Sequence, residues 1–290
     1  MRRILISALL VIGSIGAIVH GSTAQRQSGQ PLPPLPNIVV IIADDLGWQD
    51  TALPLTDRPT ALNQRFRTPN LLRLAAEGVK FTDAYAAAPL CTPTRVAELT
   101  GRMPAQTRVT HIAWLQDQDY TVLYPPPGPP VLISPAWNLN GLSPQSGFAR
   151  TYSGPVLPEI LRRAGYRTIH VGKAHWAPPG TPGADPHAMG FDINIGGSGA
   201  GEPGSYLGQR NYQSPPRATV KMDVPGLEQY HGTDTFLTEA LTIEANKAID
   251  AAVTDNKPFF LHLAHFAVHT PIQADERFLS HYASSGLSPV

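Results

Sequence analysis

A mainly parallel α/β sheet flanked by helices is the fold class this sequence predicts, and three observations predict it. Branched or aromatic runs at 37–43 (NIVVIIA), 166–173 (YRTIHVGK) and 257–266 (KPFFLHLAHF) alternate with helical patterns, as strands do with crossover helices in a parallel sheet. The residues capable of chemistry, Asp44/Asp45, Lys173/His175 and His269, fall just beyond those strands, where ligands gather in such sheets. A hydrophobic content of 42% in 290 residues is ample for one sizeable core.

Residues 1–24 read as a signal peptide. Arg2 and Arg3 make a basic start, Ile4–Val19 is almost unbroken in its apolarity, and Ser22-Thr23-Ala24 offers small residues for cleavage. The apolar run is short for a full span, so an N-terminal membrane anchor is the lesser alternative. The expected location is exported, periplasmic or extracellular, with no stable membrane insertion once the signal is cleaved. Residues 25–36 form a polar, proline-bearing lead, and 37–290 a single domain.

The run 37–43 has the continuous branched apolarity of a strand buried on both faces. Thr68-Pro69 offers an N-cap and first-turn proline for NLLRLAAE, which Gly78 closes, and a short strand VKFTDAY is expected at 79–85. A helix follows Cys91 and ends at Gly101. Residues 104–154, with PPPGPP, read as a long surface excursion. LPEILRRAG predicts a short helix, and 177–232, rich in Gly and Pro, predicts loop. From Asp234 to Val253, Leu237, Leu241, Ala245, Ala248 and Ala252 recur at helical spacing before the last strand.

Composition narrows the partners. Taking Arg2 and Arg3 from the 22 basic residues leaves 20 against 22 acidic ones, so there is no basic excess and nucleic acid is excluded as the main partner. Anion recognition must then come from a few placed cations.

Cys91 is the single cysteine. It cannot form an intrachain disulfide, so it is either a small core residue or a point of chemistry. Its neighbours favour chemistry: Pro93 suits a first helical turn, whose free N–H groups favour anions, and Arg95 adds a planar permanent cation. Asp44-Asp45 at a strand end is a turn device when exposed. Enclosed, the pair requires a cation, and hard oxygen donors suit Ca²⁺ or Mg²⁺ better than zinc.

The run Cys91-Thr92-Pro93-Thr94-Arg95 followed by Leu99-Thr100-Gly101-Arg102 resembles the signature of the type I sulfatases, of the alkaline phosphatase superfamily. The resemblance extends over about 36–290 through DDLGW, GKAHW, GFDINIGGSGAG and FFLHLAHFAVHTPIQ. It implies an α/β sulfatase fold, and that a formylglycine-generating enzyme oxidises Cys91 to formylglycine, whose hydrated aldehyde is the nucleophile. It further implies Ca²⁺ held by Asp44, Asp45 and residue 91, with Arg95 and Lys173 on sulfate oxygens. His269 meets the leaving-group oxygen and His175 helps expel sulfate. The implied substrate is a sulfated small molecule or carbohydrate. Thr94 stands where the family usually has serine, and the hydroxyl is kept.

The family continues past the point where this sequence stops, through an Asp-Asn metal pair and a second lysine, so the resemblance implies that the C-terminal portion of the domain is missing. Asp255-Asn256 precedes its strand and is not that pair. His262 and His265 are expected as core or supporting residues. A zinc site made with His269 would need one helical face, and this segment reads as a strand. GGSGAGEPG reads as a mobile loop. Two other readings stay open: an inactive sulfatase-like protein with weak anion binding, and a related phosphoester or phosphonate hydrolase.

Overall fold

The computed structural model describes residues 34–118 and 137–283, all but the first two of which belong to one compact unit, Pro36–Val290. The signal-peptide segment and nearly all of the polar lead lie outside the described residues. Four strands, β1 (Ile38–Ala43), β2 (Arg167–Gly172), β3 (Ile193–Ile195) and β4 (Phe259–His265), form a sheet in the order β1-β4-β2-β3, and every pairing is parallel. The last strand in sequence is thus inserted between the first two. Its register sets Ala43 beside His265 and Gly172 beside Ala264. Asp44, Lys173 and the segment entering His269 therefore leave the sheet at one edge, as the sequence predicts.

The helices are α1 (Pro69–Glu77), α2 (Cys91–Thr100), the single turn α3 (Pro104–Thr107), α4 (Leu157–Arg163), α5 (Leu237–Thr254) and the short α6 (Glu276–Leu279). Each face of the sheet has its own core. On one, the expected α5 stripe of Leu237, Leu241, Ala245, Ala248 and Ala252 is buried against Ile169, Val171, Leu261 and Leu263. On the other, Val96 and Leu99 of α2 meet Phe260, Trp176, Phe191 and Leu142. Burying one such Leu or Phe side chain contributes about 1.5–3 kcal/mol, so both layers are firmly held to the strands that carry the site.

Several expectations need correction. β1 is an edge strand with one face uncovered: Val39 and Ile41 are 48% and 63% exposed. The strand expected at 79–85 does not form, and Val79, Phe81 and Tyr85 are exposed, so its apolar residues gain none of the burial that would hold a strand to the sheet. The excursion at 104–154 is not all surface. Val109, Ala113, Leu139 and Leu142 are buried, and Leu142 bridges Tyr152. Within the expected loop at 177–232, the three residues of β3 extend the sheet beside β2. Among the described residues no helix is long and apolar enough to cross a membrane.

Candidate active site

The strand-edge residues converge on one carboxylate. Asp44 follows β1 and is buried; its Oδ1 accepts from Arg95 Nη2 at 2.8 Å, and its Oδ2 accepts from Lys173 Nζ. Burial alone would raise the Asp44 pKa, but the two cations outweigh it and hold the carboxyl below its ordinary range. Lys173 is itself fully buried. Its backbone N–H donates to Ala264 O at 2.8 Å, and its carbonyl accepts from Arg95 Nη1 at 2.7 Å. Gly172, at φ 103°, makes this approach feasible: a Cβ there would stand 2.0 Å from the Ala264 carbonyl oxygen. A reciprocal pair of backbone bonds, Asp44 N–H to Ala267 O at 2.9 Å and Val268 N–H to Asp44 O at 2.7 Å, ties the end of β1 to the chain leaving β4.

Cys91 is the first residue of α2, half-buried, with its thiol beside His269. Burial opposes ionisation of the thiol; neighbouring His269 and the Lys173 charge prevail, and the Cys91 pKa is lowered. The neighbouring thiol raises the pKa of His269 against the opposing effects of burial and Lys173. Donor atoms of Asp44, Cys91 and His269 lie within 4.8 Å of one another. Asp45 stands outside that group. It adopts a left-handed φ of 57°, its side chain is 60% exposed, and its Oδ2 lies 3.6 Å from His269 Nε2.

The donor set suits a hard divalent cation in part. Asp44 and Asp45 are hard donors, fewer than the six to eight that calcium takes. Asp255-Asn256 cannot complete them: Asp255 pairs with Arg167 at 2.6 Å and sits at the other end of β4.

His175 is buried beside the residue after Cys91. Its Nε2 lies 3.2 Å from Ala113 O and 3.5 Å from Thr92 Oγ1. A carbonyl only accepts, so Nε2 carries the hydrogen. Burial, reinforced by Lys173 and Arg95, drives the His175 pKa well down. The ring is then neutral, with a bare Nδ1 that has no hydrogen-bond partner among the described residues. Thr94 spends its hydroxyl on the loop before α2, donating to Ala88 O at 2.7 Å.

Other residues entered the site without a sequence signal of their own. Glu202 lies 3.7 Å from His269 Nδ1 and accepts from the Thr270 hydroxyl at 2.8 Å. Tyr206 donates to the His269 carbonyl at 2.9 Å. Glu202 belongs to the segment read as a mobile loop. That segment is instead largely buried, with Gly197 and Gly201 packed on the rings of His170 and His175 so closely that a Cβ would clash with either. Its glycines serve close approach. His262, as expected, is a supporting residue, turned toward α2 and away from the face of His265.

An α/β sheet brings a cation-flanked carboxylate, a helix-initiating cysteine and a histidine together at one end of its strands, an arrangement suited to an anionic group. The family model described as Sulfatase matches residues 36–287, and the chain belongs to the sulfatase family. It is similar to N-acetylgalactosamine-6-sulfatase of Mus musculus, 31% identical over 280 residues, covering 93% of this chain and 45% of that protein. Arylsulfatase G of Mus musculus is 28% identical over 268 residues, covering 84% and 43%. The crystal structure of Ps i-CgsB in complex with k-i-k-neocarrahexaose matches with a TM-score of 0.56 and 27% identity, covering 86% of this chain and 48% of that one. The chain spans about half the length of the curated relatives it matches.

Proposed function

We propose that this chain carries the nucleophile-bearing part of a sulfuric ester hydrolase that acts on sulfate monoesters. The observation that carries the reading is the placement of Cys91 at the start of a helix, in contact with His269 and facing a buried carboxylate flanked by Arg95 and Lys173. Conversion of Cys91 to formylglycine would supply a hydrated aldehyde as nucleophile. Ca²⁺, or Mg²⁺, held by Asp44, Asp45 and residue 91, would polarise sulfate oxygens.

The chain's own groups do the rest. Arg95 and Lys173 offset the negative charge of the sulfate group. His269, with its raised pKa, holds a proton for the departing alcohol oxygen. His175 offers its bare Nδ1 as the acceptor of the proton that must leave for sulfate to be released. Sulfated carbohydrates are the favoured substrate class, since relatives are named for N-acetylgalactosamine 6-sulfate chemistry and a structural neighbour holds a neocarrahexaose. The reading includes export through the basic and apolar N-terminus and maturation by a formylglycine-generating enzyme.

Mass spectrometry of the Cys91 peptide after coexpression with a formylglycine-generating enzyme tests this directly. Loss of the thiol and gain of the aldehyde is the expected result. An unmodified thiol, with a control sulfatase converted alongside, would sink the reading and move the phosphoester and inactive alternatives ahead.

A further inference from the structure

Helix α2 presents Cys91, Arg95 and Glu98 at i, i+4 and i+7, hence on one face. Cys91 and Arg95 belong to the site. Glu98 reaches two turns further down, and its Oε1 lies 2.7 Å from His262 Nε2 on β4. His262 Nδ1 lies 2.9 Å from His170 Nδ1 on β2, its register partner across the strands. His170 Nε2 lies 2.9 Å from the carbonyl of Gly172, the residue before Lys173. Both imidazoles are buried, with Trp176, Phe191 and Phe260 around them.

Counting hydrogens along this chain forces a conclusion. The Gly172 carbonyl can only accept, so His170 Nε2 carries a hydrogen. One further hydrogen must lie between the two Nδ1 atoms, and another between His262 Nε2 and Glu98. Three bonds need three protons, whereas two neutral imidazoles and an ionised carboxylate supply two. With only two, a pair of lone pairs would face each other in an apolar surrounding, which burial makes costly. With three, the chain is neutral overall, the state that such a surrounding tolerates.

We propose that Glu98, His262 and His170 form a hydrogen-bonded chain, buried at both imidazoles and half-buried at Glu98, that holds this extra proton, and that they act as positioning residues fixing helix α2, with Cys91 and Arg95, against the strand ends that carry Lys173 and Asp44. Burial and the neighbouring His262 keep His170 well below the ordinary imidazole range, so the extra proton resides in the Glu98–His262 bond. Arg95 is the second strut of the same face, gripping the Lys173 carbonyl and Asp44.

The test uses the full unconverted chain and requires no turnover. Long-range ¹H–¹⁵N spectra of histidine-labelled protein at neutral pH should show His170 protonated at Nε2 alone and His262 protonated at both ring nitrogens. In Glu98→Gln the amide can donate to a bare His262 Nε2, so His262 should fall to the Nδ1–H tautomer while His170 is unchanged. A singly protonated His262 in the wild-type chain, or a Glu98→Gln spectrum identical to it, overturns the proton assignment. Positioning is read from Cys91 alkylation by iodoacetamide. Glu98→Leu should slow it about tenfold by moving the thiol from His269, and Glu98→Gln should remain within about twofold of wild type. A Glu98→Leu rate equal to or above that of the wild type overturns the positioning role.

Discussion

Arg95 joins the ends of two strands through a single guanidinium: Nη2 donates to Asp44 Oδ1 at 2.8 Å, and Nη1 donates to the Lys173 carbonyl at 2.7 Å. The Lys173 ammonium returns to the other oxygen of Asp44. Two cations and one carboxylate thus form a closed, buried loop in which each charge holds the others in place.

Asp44→Asn removes the one carboxylate that, among the described residues, pairs with both cations. Breaking a buried pair in this way leaves uncompensated charge, and the expected loss is about 3–5 kcal/mol, read as a lowered midpoint of urea unfolding. The same carboxylate gives the fold an acid sensitivity. Its pKa is lower folded than unfolded, so its contribution is complete above the ordinary carboxylate range and is lost as pH falls through the lowered folded value. Unfolding midpoints of wild type and Asp44→Asn measured down an acid series should converge. A constant gap between them would contradict the assignment.

The Cys91–His269 pair predicts an activated thiol in the unconverted chain. Cys91 is lowered in pKa by neighbouring His269 and Lys173, so a larger share of the thiol is ionised at neutral pH than in free cysteine. Iodoacetamide should react with Cys91 faster at neutral pH than with free cysteine. His269→Asn, which keeps polarity but cannot carry the charge, should slow the reaction about tenfold. Equal rates would place the activating charge on Lys173 alone.

Gly172→Ala should cost more than about 2 kcal/mol, because φ is 103° and the new methyl would stand 2.0 Å from the Ala264 carbonyl oxygen. The displaced strand end would carry Lys173 with it. Anion affinity, measured with inorganic sulfate, should therefore fall together with the unfolding midpoint. Unchanged stability would mean that β2 and β4 part more easily at this end than their register implies.

What the sequence made legible follows periodicity and punctuation. The α5 stripe from Leu237 to Ala252, the strands around His170 and His262, and the helix beginning at Cys91 all carry their own local signal, and each is where the spacing places it. Local pattern cannot report what lies across a gap. Glu98 is an ordinary helical glutamate until β4 brings His262 to it, and Glu202 becomes a neighbour of His269 only because a glycine segment closes over His175. The three residues of β3 are too few for a period to register. Asp45 carries no local pattern that tells a turn from a ligand, and its left-handed backbone sets its carboxylate, 60% exposed, 3.6 Å from His269 Nε2.

The largest difference between reading and structure makes the last prediction. NIVVIIA has the composition of a strand covered on both sides, yet β1 is a sheet edge with Val39 and Ile41 exposed. Leu72 and Leu74 of α1, together with Val79 and Phe81, are further exposed apolar side chains. An unpaired edge carrying branched residues is a template for association, and exposed apolar patches of this kind bind hydrophobic dyes or one another. The 290-residue chain should therefore bind anilinonaphthalene sulfonate while folded and self-associate as its concentration rises. Val39→Lys with Ile41→Lys places two charges on the uncovered face without touching Ile38 or Val40, which pack against the α2-side core. The double variant should lose most of the dye signal and sediment as a smaller species. If instead the variant binds dye and associates as the parent chain does, the association runs through α1 and its neighbours, and the edge of β1 is not its seat.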